Sequence, residues 1–220
     1  HVLILGAAAG GGFPQWNCHC PNCKGLREGK IKAKGRTQSS IAVSSDGKNW
    51  VLINASPDLR EQINSHPQLW PDAHVSRGTR ISAIVLTDSQ IDHTTGLLTL
   101  REGLPLPVYC TDVVAEDLTT SFPLFTVLKH WHGGLQQHSI NTDYHQRFVP
   151  KGAEGLTFQP VVLESNANAP TAVLYSATFI FKALSPTAVF PETVVAVFPA
   201  SLPTSVLEPP VVIALPSIAV

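Results

Sequence analysis

Two groups of residues in this chain have the types and spacing to do chemistry. The first is Thr87-Asp88-Ser89-Gln90-Ile91-Asp92-His93-Thr94-Thr95-Gly96, directly after the apolar run Ile81-Ser82-Ala83-Ile84-Val85-Leu86. A short β-rich run ending in acidic residues and an Asp-His pair can present metal ligands at a strand's carboxyl end. Asp92 and His93 are adjacent, and mid-strand neighbours point to opposite faces. They can serve one small site only from a turn or a helix start. Thr94-Thr95-Gly96 offers turn and cap chemistry, and Leu97 to Glu102 then runs on as a short helix. The same residues also read as a capped helix carrying a surface histidine, and one Asp-His pair does not decide between the two.

The second group is Cys18-His19-Cys20-Pro21-Asn22-Cys23. Thiolates at this density suit zinc, a tetrahedral ion of borderline softness, and the two-residue spacing of Cys20 and Cys23 lets backbone amides face the sulfurs. A fourth ligand must come from elsewhere: His19 is too close in sequence, which leaves Cys110 or a distant histidine. Reduced loop thiols and a redox pair are the competing readings, and the third cysteine favours metal. A smaller cluster, His130-Trp131-His132-Gly133-Gly134, reads either as an active-site wall or as a loop with exposed histidines. Histidines two apart share a face only on a strand.

The elements that must position these groups alternate between strand and helix. Val2 to Leu5 is a strand leading into the loop Gly6-Ala7-Ala8-Ala9-Gly10-Gly11-Gly12. Neither Gly-Lys-Ser/Thr nor a dinucleotide spacing follows that loop, so it reads as a close backbone approach near a site. Ser39–Val43 and Asn49–Ile53 pair around Ser45-Asp46-Gly47-Lys48. Pro57 and Asp58 open a helix from Leu59 to Ile63. Ile81–Leu86 and Pro107–Cys110 are further strands, and Asp112–Leu118 starts a helix.

Composition narrows the function classes. The 220 residues carry a net charge of −1 with a pI near 6.8, which gives no footprint for nucleic acid or an anionic membrane. No apolar run approaches the ~18 residues that span a bilayer. The first residues read as a strand, not as a leader, and a cytoplasmic location is expected.

Residues 1–165 hold all 15 glycines, all nine histidines and all four tryptophans. From 166 to 220 the only charges are Lys182, Glu192 and Glu208, and eight prolines cut the apolar runs. Prolines at that density prevent long helices and confine strands to sheet edges. The expected organisation is therefore one α/β unit over 1–165 and an Ala/Val/Pro-rich tail over 166–220, frameshifted or disordered.

Four segments together, GAAAGGGFPQWNCHCPNCKG, RTQSSIAVSSDGKNWVLINASPDLREQI, TDSQIDHTTGLLTLREGLPLPVYCTD and DLTTSFPLFTVLKHWHGG, closely resemble the PqqB family of pyrroloquinoline quinone (PQQ) biosynthesis. The likeness runs from His1 to about Ser165. It implies a metallo-β-lactamase-like αββα sandwich, incomplete here because the second half does not match. Asp92 and His93 match the last two positions of the superfamily's metal signature. Asp88 and Gln90 stand where its first two histidines belong, which argues against ordinary lactamase chemistry.

The resemblance implies a role in making PQQ, by metal-dependent hydroxylation of a tyrosine-derived ring in a peptide-derived precursor, alongside other PQQ biosynthesis proteins. It also carries an alternative, a soluble carrier that moves PQQ or its precursor towards the periplasm. On the hydroxylase reading, Asp92 and His93 hold iron(II) or another divalent metal, and Asp88 is a ligand or orients His93. Ser89 and Gln90 meet substrate or water, and Arg36 pairs either with a substrate carboxylate or within a structural ion pair. Cys18, Cys20 and Cys23 hold structural zinc. The tail has no Asp and no His to complete the strand-end site, so a truncated, inactive derivative is a third expectation.

Overall fold

The structure, a computed structural model, describes residues 1–103, 105–142, 146–163 and 176–183. Six strands form one mixed sheet in sequence order: β1 Val2–Gly6, β2 Ser40–Val43, β3 Trp50–Ile53, β4 Ile81–Val85, β5 Leu106–Cys110 and β6 Leu135–Ser139. β1, β2 and β3 pair antiparallel, whereas β3 through β6 run parallel. A second, two-stranded antiparallel sheet joins β7 Leu156–Leu163 to β8 Ser176–Ala183.

The period-2 pattern of the strands divides the apolar interior between the two sheet faces. Leu5, Ala42, Trp50, Leu52, Ile84, Val108 and Cys110 face one core. The parallel crossovers cover that face with helices α2 Leu59–Ser65, α4 Asp112–Asp117 and α5 Leu124–Leu128, through Leu59, Val114, Leu118, Phe125 and Leu128. Val43, Val51, Ile53, Ala83, Val85 and Tyr109 face the other way and meet Ile140, Ala153, Leu156 and Phe158. β3 and β4 are buried on both faces, as continuous apolar runs in a parallel sheet require. This is the α/β, layered arrangement expected from sequence.

Two local differences have physical reasons. The stretch after His93 is not an α-helix from Leu97. A four-residue helix α3, Ile91–Thr94, gives way to a 3₁₀ helix, Thr95–Gly103. There the amide of Gly96 donates to the Ala55 carbonyl at 2.9 Å, and a Cβ at Gly96 would stand 2.2 Å from the Ser56 carbonyl oxygen. Docking the backbone this tightly takes the chain out of regular α-helical winding.

The second difference is that β8 lies inside the tail, in the stretch between Pro170 and Pro186 that no proline interrupts. The rest of the 166–220 segment is outside the described residues. Among the described residues no helix is long and apolar enough to cross a membrane.

Candidate functional site

The Asp-His pair sits where the carboxyl end of β4 breaks into α3, with Gln90 at the N-cap position. Asp88 is buried, 5% exposed, and its carboxylate turns onto His93, with Nδ1 at 2.7 Å from Oδ1 and 2.8 Å from Oδ2. An ionised carboxylate only accepts, so Nδ1 carries the proton and Nε2 of the neutral ring is left with its lone pair. Asp88 thus has the geometry of an orienting partner, the arrangement that fixes a metal-binding histidine.

Its other contacts lock it. The Gln90 amide donates to Oδ1 at 3.0 Å and the Thr87 hydroxyl donates to Oδ2 at 3.2 Å. Thr87 is in turn held by Asn54, whose Nδ2 donates to the hydroxyl at 2.9 Å and whose Oδ1 accepts from the Thr87 amide at 3.0 Å. Asn54 reaches this position with φ +60°, a left-handed conformation that Asn tolerates.

Burial draws the His93 pKa down, but the hydrogen bond and charge of Asp88, with the charge of Asp92, outweigh it and leave the pKa raised. The glycine-rich loop closes on the same place, for a Cβ at Gly10 would lie 2.2 Å from Asp92 Oδ2. That is the close backbone approach read from the sequence, and glycine leaves the carboxylate its room there. The Ala55 amide donates to the His93 carbonyl at 2.7 Å, so the turn after β3 supports α3 from behind.

The remaining expected residues are placed less centrally. Ser89 donates its hydroxyl to Asp117 Oδ2 on α4 at 2.7 Å. Gln90 is exposed and serves the site through its backbone. Arg36 is exposed and exchanges backbone hydrogen bonds with Phe13, 2.7 and 2.8 Å, and among the described residues its side chain makes no ion pair. His130 and His132 lie in a turn and not on a strand. Positive φ at His132, Gly133 and Gly134 is incompatible with a strand there, and both imidazoles are exposed.

The three clustered cysteines come together. Their sulfurs lie within 4.8 Å of one another, and among the described residues this is the one group of three or more metal-capable side chains. Cys20 caps helix α1, Pro21–Arg27, with Pro21 in its first turn; the Cys23 and Cys20 amides point at the Cys20 and Cys18 sulfurs, each at 3.5 Å. A zinc tetrahedron with bonds near 2.3 Å has sulfur edges of about 3.8 Å, so small side-chain rotations make the set fit.

The Cys23 amide, then the neighbouring Cys18 and Cys23 thiols, hold Cys20 down to about 7. The Gln15 backbone contact pulls Cys23 down, yet burial and its two thiol neighbours leave it raised. Cys110 is not beside them. It is buried in β5, and desolvation followed by the charge of Asp112 pushes it up to about 12.

A mixed sheet with helices on one face, and an Asp-His turn at the end of a central parallel strand, defines the class. The family model of the beta-lactamase superfamily domain matches residues 49–182. The chain belongs to that superfamily and, within it, to the PqqB family.

Coenzyme PQQ synthesis protein B of Acinetobacter baumannii strain ACICU is 58% identical over 167 residues, covering 76% of this chain and 54% of the relative. The protein of the same name from Pseudomonas fluorescens strain Pf0-1 is 60% identical over 166 residues, with the same two shares. The chain therefore spans about half the length of the curated relatives it matches. Zn(2+)-bound PqqB from Methylobacterium extorquens superposes with a TM-score of 0.69 at 35% identity, over 83% of this chain and 59% of that one. A diphosphatase of the PhnP family, at 23% identity and a TM-score of 0.57 over 82% and 61%, shares the fold.

Proposed function

We propose that this chain works in the biosynthesis of PQQ, in the metal-dependent hydroxylation of a tyrosine-derived ring carried by a peptide-derived precursor, together with other proteins of that biosynthesis. The observation that carries this reading is the 58 to 60% identity with proteins named coenzyme PQQ synthesis protein B. The orientation of His93 by Asp88 supports it.

Asp92 and the free Nε2 of His93 would hold iron(II) or another divalent metal, which supplies oxygen activation when bound. Asp92 and His93 offer two donors, short of the three that iron oxygenases of the His/carboxylate type use. This chain's own contribution is to keep His93 in the tautomer that presents Nε2, and to leave, at Gly10, the space that the Asp92 carboxylate occupies. Ser89, Gln90 and Arg36 would line the approach of substrate. Cys18, Cys20 and Cys23 would hold zinc in a structural role, and the approach of their three sulfurs to within 4.8 Å of one another supports that reading.

The test is restoration of PQQ in a bacterium lacking its own PqqB, read through a PQQ-dependent dehydrogenase. The chain should restore PQQ formation, and His93→Ala should abolish it while zinc per chain stays at one. A soluble, folded chain that restores nothing, or a His93→Ala variant as active as the parent, refutes the reading.

A further inference from the structure

Helix α1 carries a cation whose contacts tie it to the thiol loop. The guanidinium of Arg27 donates from Nη1 to the Cys18 carbonyl and from Nη2 to the Gln15 carbonyl. It thereby spans the turn that the Cys18 amide closes on Gln15 at 3.1 Å. Arg27 lies four residues beyond Cys23, on the same helix face, and helical side chains lean towards the N-terminus. It therefore reaches back over the turn of the helix that carries Cys20 and Cys23.

The consequence is geometric. Cys20 and Cys23 are fixed to each other by α1, whereas Cys18 belongs to the preceding loop. Among the described residues, the contacts drawing that loop onto α1 include the Arg27 pair, the Cys20 amide directed at the Cys18 sulfur and the Gln15 backbone contact with the Cys23 thiol; of these, the Arg27 pair alone holds the loop through a charged side chain. Three thiolates around a divalent ion also leave one net negative charge, and a fixed guanidinium on the ligand's own carbonyl offsets it. Lysine could supply the charge but not the two-pronged fork.

We propose that Arg27 is the positioning residue of the three-thiolate site, closing the Gln15–Cys18 turn onto α1 so that Cys18 meets Cys20 and Cys23. This rests on reading those cysteines as a metal site.

The probe is cobalt(II), titrated into the metal-free, reduced full chain and followed by the thiolate-to-cobalt charge-transfer absorption, with affinity taken from competition with a chelator. Arg27→Gln should weaken cobalt binding by about tenfold or more, the range expected for a partner that orients a ligand. Arg27→Lys should recover only part of it. Lys24→Gln, which removes an exposed cation of the same helix paired with Glu28 at 3.8 Å, should bind as the parent does, and all four proteins should show the same far-ultraviolet circular dichroism. Parental affinity in Arg27→Gln, full recovery in Arg27→Lys, or an equal loss in Lys24→Gln overturns the positioning role. A parent chain with no thiolate–cobalt absorption overturns the metal reading itself, and the proposal with it.

Discussion

Replacing Asp88 by Asn tests the strand-end site through its pH dependence. The substitution keeps the size and an acceptor oxygen but removes the charge that His93 faces at 2.7 and 2.8 Å. The pair is well shielded, with side chains 21% and 7% exposed for His93 and Asp88. The raised pKa of His93 means that the folded state holds its proton more tightly than the unfolded chain does, for which about 6.5 is the reference. That contribution to stability is fully present below the unfolded value and is lost as pH rises through the folded one.

A charge-assisted hydrogen bond contributes about 1.5–3 kcal/mol, and a neutral one about 1 kcal/mol. Asp88→Asn should therefore cost about 2 kcal/mol at pH 5 and about 1 kcal/mol or less at pH 9. For a chain of this size that is a fall in Tm of roughly 4–8 °C at the acid end, shrinking towards the alkaline end. The assay is thermal or urea unfolding of metal-free, reduced protein at both pH values, with the His93 titration followed by NMR. An equal loss at both pH values, a larger one at pH 9, or an unmoved His93 titration refutes the Asp88–His93 reasoning.

Other outcomes follow from the same geometry. Gly96→Ala places a Cβ 2.2 Å from the Ser56 carbonyl oxygen and 2.8 Å from the Ala55 carbonyl atoms. These are rigid backbone neighbours, so urea denaturation should show a loss of about 3 kcal/mol. Gly10→Ala places its Cβ nearest the Asp92 carboxylate, a side-chain end that can rotate away. It should leave Tm nearly unchanged while weakening divalent-metal binding that depends on His93 by about tenfold, measured calorimetrically. Iodoacetamide should modify exposed Cys20 with a rate that rises through about pH 7 and spare buried Cys110 under native conditions, as peptide mapping by mass spectrometry would read; preloading with zinc should protect Cys20.

Much of the frame was legible because β3 and β4 are apolar runs of strand length bounded by turn residues, and Asp46 and Gly47 mark the hairpin between β2 and β3. The clustering of the thiols was legible too, since three cysteines within six residues can scarcely avoid one another. The buried support was not. Nothing near Asn54 in sequence indicates that its amide holds Thr87, 33 residues away, or that Asp117 takes the Ser89 hydroxyl. Such contacts depend on which strands become neighbours, and local periodicity does not encode that. Arg27 carried a weak signal, its four-residue spacing from Cys23 on a short helix. Cys110 was misleading as a possible fourth ligand because its place in β5 turns it into the core.

The two candidate sites hang from parts of the sheet with different neighbours. The Asp-His turn follows β4, a central strand paired on both sides, whereas the thiol loop follows β1, which among the described residues stands at the end of the six-stranded sheet beside β2. Edge elements open at lower free energy than buried central strands, so their amides exchange hydrogen first. The thiol loop can therefore unfasten while the strand end stays closed. A zinc ion there would turn over on the timescale of local fraying, and one bound at His93 would leave without waiting for the sheet to part only if its own turn gave way.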